Sequence, residues 1–337
     1  MRSWCAVLLF LAACTGVWAQ TFDNGMAAPP AAGSGVPAKK SVTIKRGTTW
    51  MVRPQKATAA EQLVYAQGLR LEGRLRAAYR AYNALVYAWP DTAQAVTAQV
   101  ACAEVSEERR DYPKAFDEYQ YLIDRYTGQF DYHAVLDKQF GIANHLMTTR
   151  RGKFLFFPGF EAPERALPFF EKIIDNAPSW DKAPLAQFYI GQIHEKSGDW
   201  AEANTAYEIL QNRYETSPWA EPAGFHAACC LYEDSKHRPN DENACNAARA
   251  ALVRFIRSYP TGADVPEARV RLNALNDRFA TLVYERARYY DRIAKRPAAA
   301  LISYRDFVKR FPNSALTEQA RARIQTLQKE VKTDDTP

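Results

Sequence analysis

The chain has 337 residues, 47% apolar, 24% charged and 12% aromatic, the proportions of a folded protein and not of a disordered or fibrous one. Its net charge of +6 is local: seven of the 44 basic residues and one of the 38 acidic residues precede Glu61, which leaves 37 of each sign from there on. A neutral body has no global basic field, so charge gives no case for a nucleic-acid partner.

In chain order, residues 1–19 read as an export signal. Met1-Arg2-Ser3 is a positive start, and Cys5 to Ala13 is an apolar run of nine residues, too short to span a bilayer. Two cleavage readings stand. Leu11-Ala12-Ala13-Cys14 matches a bacterial lipobox, which would acylate Cys14 and make it the mature N-terminus. Val17-Trp18-Ala19 before Gln20 matches an ordinary signal-peptidase site. The first reading puts a lipid-anchored protein on the periplasmic face of the outer membrane. The second puts it in the soluble periplasm.

Residues 20–57 read as a linker. Ala27 to Gly35 is dense in Pro, Gly and Ala, which bury little, and Lys39, Lys40, Lys45, Arg46, Arg53 and Lys56 make the stretch basic. Ser41 to Val52 reads either as an extended patch against the body or as a solvated tether.

From residue 58 to 330 the chain repeats one unit. It reads Ala78-Tyr82-Leu85-Trp89, Ala115-Tyr119-Leu122-Tyr126, Ala166-Phe170-Ile173-Ala177, Ala203-Tyr207-Leu210-Tyr214, Ala248-Leu252-Phe255-Tyr259 and Ala300-Tyr304-Phe307-Phe311. Spacings of four, three and four put each set on one stripe of a helix. Pro follows the closing residue in four units and stops the helix. A second helix precedes each stripe. In the fourth unit it spans Pro184 to Ser197, is broken by Gly198, and is followed by a capping-box-like start at Asp199 and Glu202. Small residues such as Ala66, twelve before the stripe's Ala78, let the two helices approach closely.

A single helix pair cannot bury its stripe, but stacked pairs can. The pattern of small residue, Gly, Ala, aromatic and Pro is the tetratricopeptide pattern. The predicted fold is all-α, a tetratricopeptide-type α-solenoid of about six helix pairs, with residues 331–337 as a tail. Arg150 to Phe160 reads as a basic, then aromatic, loop in the third unit, either a partner contact or a plug. Asp234 to Asn243 reads as a solvated loop.

No catalytic constellation emerges. His133, His145, His194, His226 and His237 form no metal-ligand pair, and P-loop, GxGxxG and GxSxG motifs are missing. The expectation is a non-enzymatic protein with no cofactor and no metal. Cys245 lies on a buried stripe. It reads either as packing or as the partner of Cys229 or Cys230 in a disulfide that export permits.

The signal, the linker and the repeats together resemble the BamD family of lipoproteins in outer-membrane β-barrel assembly. Phe255 to Pro260, Ala268 to Ala280, Tyr284 to Tyr290 and Ala299 to Asn313 carry the likeness in order and spacing, and it extends over about two thirds of the chain. The chain departs from the family in what reads as an added unit around Pro184 to Tyr214. It also has Ser303 where the family often has a basic residue.

The resemblance implies protein partners: a BamA-like barrel assembly protein docked on the C-terminal units, and unfolded outer-membrane proteins met by the N-terminal units. Arg286, Arg288, Tyr289, Tyr290 and Arg305 are the candidate contacts. The alternative is a soluble periplasmic tetratricopeptide adaptor for cell division or peptidoglycan synthesis, of the YbgF/CpoB kind. That group has an N-terminal coiled coil, and residues 20–57 show no heptads.

Overall fold

In each repeated stripe the Ala has no bulk, and the next two members are large and apolar, so the helix can lie close to its partner and bury both. A computed structural model describes residues 53–149 and 162–334, all within one compact unit, residues 44–337. The export signal with Cys14, the linker up to Val52 and the loop Arg150 to Phe160 lie outside the described residues.

The described residues form thirteen α-helices and no strand. They are α1 Ala59–Leu71, α2 Leu75–Ala88, α3 Ala93–Glu108, α4 Tyr112–Arg125, α5 Tyr132–Thr148, α6 Leu167–Asn176, α7 Ala183–Ser197, α8 Trp200–Arg213, α9 Ala220–His237, α10 Glu242–Ser258, α11 Val265–Arg292, α12 Pro297–Arg310 and α13 Thr317–Asp334. A short 3₁₀ turn, Pro163–Ala166, leads into α6. Each helix packs on the one before and the one after, which is the wiring of an α-solenoid. Six pairs, α1/α2 to α11/α12, are followed by a lone α13.

The predicted stripe is the buried stripe. Ala, aromatic or Leu, and aliphatic or Phe are buried along every even-numbered helix, from Ala78, Tyr82 and Leu85 to Ala300, Tyr304 and Phe307, with Ala166 as the N-cap of α6. The closing residues Trp89, Tyr126, Ala177, Tyr214, Tyr259 and Phe311 are the C-caps of these helices, each N–H still bonded to the carbonyl four residues back. Gly191 shows how tight a pair is: a Cβ there would meet the Tyr207 ring at 2.4 Å.

The turns inside the pairs differ. In the first, second and fourth pairs the turn residue sits in the left-handed region: Gly73 at φ 72°, Arg110 at φ 58° and Gly198 at φ 81°. The next N–H reaches back five residues in each, Arg74 to Leu69, Asp111 to Ser106 and Asp199 to His194, closing a Schellman turn. The fifth and sixth pairs use four-residue turns, 238–241 and 293–296; the sixth also has a left-handed residue, Lys295 at φ 48°, and an Ala294 N–H that reaches back five residues to Tyr289.

Three expectations need correction. Asp199 is the N-cap of α8, but its side chain makes no capping bond; the Schellman turn sets the backbone, and the carboxylate lies 3.9 Å from His194 instead. The loop expected at Asp234 to Asn243 shrinks to 238–241, because Arg238 pairs with both Asp234 and Asp241 across it, and helix continues on either side. The expected tail is shorter, since no Gly or Pro interrupts α13 before Asp334. Of the two readings of Cys245, packing is the one the structure shows: Cys229, Cys230 and Cys245 are buried thiols and form no disulfide. The Cys245 Sγ faces the Leu275 carbonyl at 3.8 Å.

A polar device accompanies the stripes. Gln62, Gln99 and Gln187, on the first helices of pairs one, two and four, are buried and donate Nε2 to the carbonyls of Ala81, Glu118 and Ala206 at 2.9, 3.0 and 3.0 Å. Each spans nineteen residues, so it fixes the sliding register of the pair. A buried amide that finds such a partner avoids the cost of desolvation.

Candidate functional site

Consecutive odd-numbered helices are tied by polar bridges. Arg70 of α1 holds Glu104 and Glu108 of α3 at 2.7 and 2.5 Å. Lys138 of α5 lies 3.6 Å from Glu107 of α3, and Lys182 at the start of α7 pairs with Asp137 of α5. His226 of α9 meets Glu195 of α7 at 2.8 Å, Arg278 of α11 donates to Ser235 of α9 at 2.7 Å, and Arg323 of α13 grips Asp291 of α11.

The stripe tyrosines share this system. Tyr119 donates to Glu107 and Tyr207 to Glu195, each acid twelve residues earlier, and Tyr304 reaches Asp291, thirteen earlier because its turn is longer. Burial alone would raise the Glu195 carboxyl. The hydrogen bonds from His226 and Tyr207 outweigh it and hold that carboxyl below its ordinary range.

Two clefts open on the odd-numbered helices. One lies between α1 and α3, about 910 Å³, with Leu63, Leu71, Val96 and Val100 beside Arg70 and its two acids. Leu71 is 89% exposed there. The other, about 390 Å³, lies between α11 and α13 and is lined by Tyr284, Arg288, Asp291, Arg292, Tyr304 and Arg323. At its floor Asp291 accepts two bonds from Arg323, 2.8 Å from Nε and 2.7 Å from Nη2, and these hold its carboxyl below the usual range. Burial, with Asp291 close by, pushes the Tyr304 hydroxyl up to about 12.

The sequence-predicted contacts fall around this second cleft without all joining it. Arg288 lines it. Tyr289 is exposed, whereas Tyr290 is half-buried against the C-terminal core. Arg286 turns back to Glu242 of α10 at 2.7 Å, so it braces a hairpin. Arg305 is exposed on α12 and outside the cleft lining.

Much of the C-terminal arginine content is accounted for internally: Arg271, Arg286, Arg288, Arg292 and Arg310 face acids, and Arg249, Arg271 and Arg310 lie over aromatic rings. Asp291 and Arg323 escaped the sequence reading. Their signal is the acid one hairpin ahead of the stripe tyrosine, already present at Glu107 and Glu195. Among the described residues no cluster of His, Cys, Asp and Glu is arranged to hold a metal ion, and no helix is long and apolar enough to cross a membrane.

Residues 181–335 match the family model described as YfiO, outer membrane lipoprotein. This C-terminal part of the chain is BamD-like. A curated relative, the outer membrane protein assembly factor BamD of Xylella fastidiosa strain 9a5c, is 27% identical over 135 residues, 39% of this chain and 44% of that protein. BamD of Caulobacter vibrioides is 23% identical over 159 residues, 47% of this chain and 52% of that protein. The chain therefore spans about half the length of the curated relatives it matches. A tetratricopeptide repeat protein from Parabacteroides merdae is similar among solved structures, at 12% identity over 80% of this chain and 98% of that one, with a TM-score of 0.30.

The BamD-like segment runs from α7 to α13. It includes the unit at Pro184 to Tyr214 that the sequence reading set apart as an addition. What lies beyond the family model is the N-terminal part, α1 to α6, so the model covers under half of the chain where two thirds were expected.

Proposed function

We propose that this protein is a non-enzymatic scaffold in outer-membrane protein assembly, acting at the periplasmic face of the outer membrane. The observation that carries the reading is the BamD-like match over residues 181–335, whose relatives are named outer membrane protein assembly factors. A solenoid supports such a role physically, because stacked pairs give a long, rigid surface with no need of a reaction centre. In this reading the BamD-like pairs dock a BamA-like barrel protein, with Arg288 and Tyr289 among the contacts. The cleft between α1 and α3 engages unfolded outer-membrane proteins, its exposed Leu71 and neighbouring valines meeting their apolar side chains. Cys14, acylated, anchors the chain, since several acyl chains on one residue hold a protein where a single chain is marginal.

The deciding experiment is affinity capture from crosslinked envelopes. A BamA-like barrel protein is expected with the full chain and lost on truncation after Thr261 while circular dichroism still reports helix. Its absence from the full-length capture overturns the reading. Mass spectrometry of the mature N-terminus tests the anchor separately: a diacylated Cys14 supports it, and a free N-terminus at Gln20 refutes it.

A further inference from the structure

Helix α11 has 28 residues, against 13 to 18 in the other odd-numbered helices, and its last two turns form a wall beside α13. The chemistry of that wall is ordered by Asp291, whose side chain is 3% exposed. Arg323 fills both of its oxygens and the Tyr304 hydroxyl lies at 3.4 Å.

With Asp291 so occupied, Arg292 reaches it only through Nε, at 3.6 Å. Its side chain is 70% exposed, and its terminal nitrogens make no hydrogen bond among the described residues. Arg288, one turn earlier, spends one nitrogen on Glu285 in an exposed pair of the kind that contributes little. One position on from each arginine stand Tyr289 and Ile293, large apolar side chains 51% and 71% exposed. The edge thus carries two parallel stripes, two cations and two apolar groups, each repeating every four residues.

We propose that this edge docks an acidic amphipathic helix of a partner protein, its carboxylates on Arg288 and Arg292 and its apolar side chains on Tyr289 and Ile293. The inference rests on the docking role proposed above and adds the chemistry of what docks. A partner helix has the same four-residue neighbour spacing, so acids and aliphatics at matching positions meet both stripes together. A guanidinium with free terminal nitrogens takes a carboxylate in a two-bond fork. A protein segment fits better than an anionic lipid surface. The apolar stripe lies alongside the cations, the cleft behind them is walled by Tyr284 and Gln319, and the body's charge balances to zero.

The test uses purified full-length protein and a labelled, end-blocked helical peptide of roughly 18 residues, long enough to hold helix, with Glu-Leu pairs repeated every fourth residue. Fluorescence anisotropy should show binding that falls at least tenfold in R288E/R292E and in Y289A/I293S, and that is unchanged in R257E, on another helix. All these residues are exposed, and circular dichroism checks the fold.

Binding that survives R288E/R292E overturns the inference. So does equal binding of the peptide with Gln for Glu, or arginine-dependent binding of phosphatidylglycerol vesicles with none of the peptide. The two readings fail separately. A barrel protein captured equally by wild type and R288E/R292E leaves the assembly role standing and sinks the inference. Arginine-dependent peptide binding with no barrel protein captured does the reverse.

Discussion

In the first, second and fourth pairs a buried glutamine crosses to a backbone carbonyl nineteen residues on. In the fifth and sixth, the position sixteen before the stripe alanine holds Tyr232 and Tyr284. There the contacts are rings and guanidinium groups: Arg271 over Phe225 and Tyr232, Arg249 and Arg310 over Phe279, and Tyr284 against Tyr304 and Phe307. An amide-to-carbonyl bond weakens steeply when its geometry slips, so it indexes two helices to one register. Ring contacts tolerate sliding. The amide pairs have turns of two or three residues and the ring pairs turns of four, so turn length and crosslink chemistry go together. Packing alone is common to both regions; register is held by hydrogen bonds in one and by bulk in the other.

The largest expected effect tests the bulk. Phe279 is fully buried beneath two arginines, and Phe279→Ala should cost about 3–5 kcal/mol through lost burial and the cavity left behind. Urea unfolding of the purified protein measures it, and a loss near zero would mean the C-terminal pairs do not depend on ring packing.

Gln99→Leu tests the amides. Gln99 also donates to the buried carboxylate of Glu118, at 2.7 Å, so its loss strands polar atoms and should cost about 1–3 kcal/mol. The same substitution at the exposed Gln325 of α13 should change stability by about 0.5 kcal/mol or less. Equal melting temperatures for the two variants would remove the register argument.

Ala203→Leu and Ala300→Leu, one from each region, should each cost about 1–3 kcal/mol by overpacking. If sliding relieves strain in the ring pairs, the Ala300 variant is the milder. A harsher Ala300 variant would break the comparison.

Acid unfolding separates the regions more finely. Glu195 and Asp291 both have carboxyls lowered by folding, so the stability they contribute is present above the ordinary carboxylate range and is lost as pH falls through it. Glu195→Gln and Asp291→Asn should each flatten the acid limb of stability against pH between about 5 and 3, the range where carboxylates titrate. An unchanged slope would mean that neither carboxylate carries it.

The smallest effect is a gain. Arg110 holds a left-handed conformation that glycine holds at Gly73 and Gly198, so Arg110→Gly should stabilise by about 0.5–1 kcal/mol. Calorimetry would show a raised melting temperature.

What the sequence displayed was local. The spacing of Ala203, Tyr207 and Leu210 lies within one helix, so six copies made both fold class and register readable. Features that join distant helices were harder to see. The glutamines recur sixteen before Ala78, Ala115 and Ala203, but the pattern appears only when the units are aligned, and it stops at Tyr232. Arg323 and Asp291 meet across thirty-two residues, and the recurrence of the acid one hairpin ahead of the stripe tyrosine shows only in that same alignment. Arg286 reads as a contact because it is charged and lies in the family-like segment; its pairing with Glu242, forty-four residues earlier, is a brace that no local spacing displays.

The buried cysteines carry one more consequence. Cys102 belongs to the core of the N-terminal region, and Cys229 and Cys245 to that of the C-terminal region. Burial pushes the Cys229 thiol up to about 12, so at neutral pH little of the reactive thiolate exists while the helices are closed. A maleimide then reaches each sulfur only when its own neighbourhood breathes. The protein has a clock in either half, and unequal ticking of the two would reveal whether the solenoid opens as one body or frays from one end.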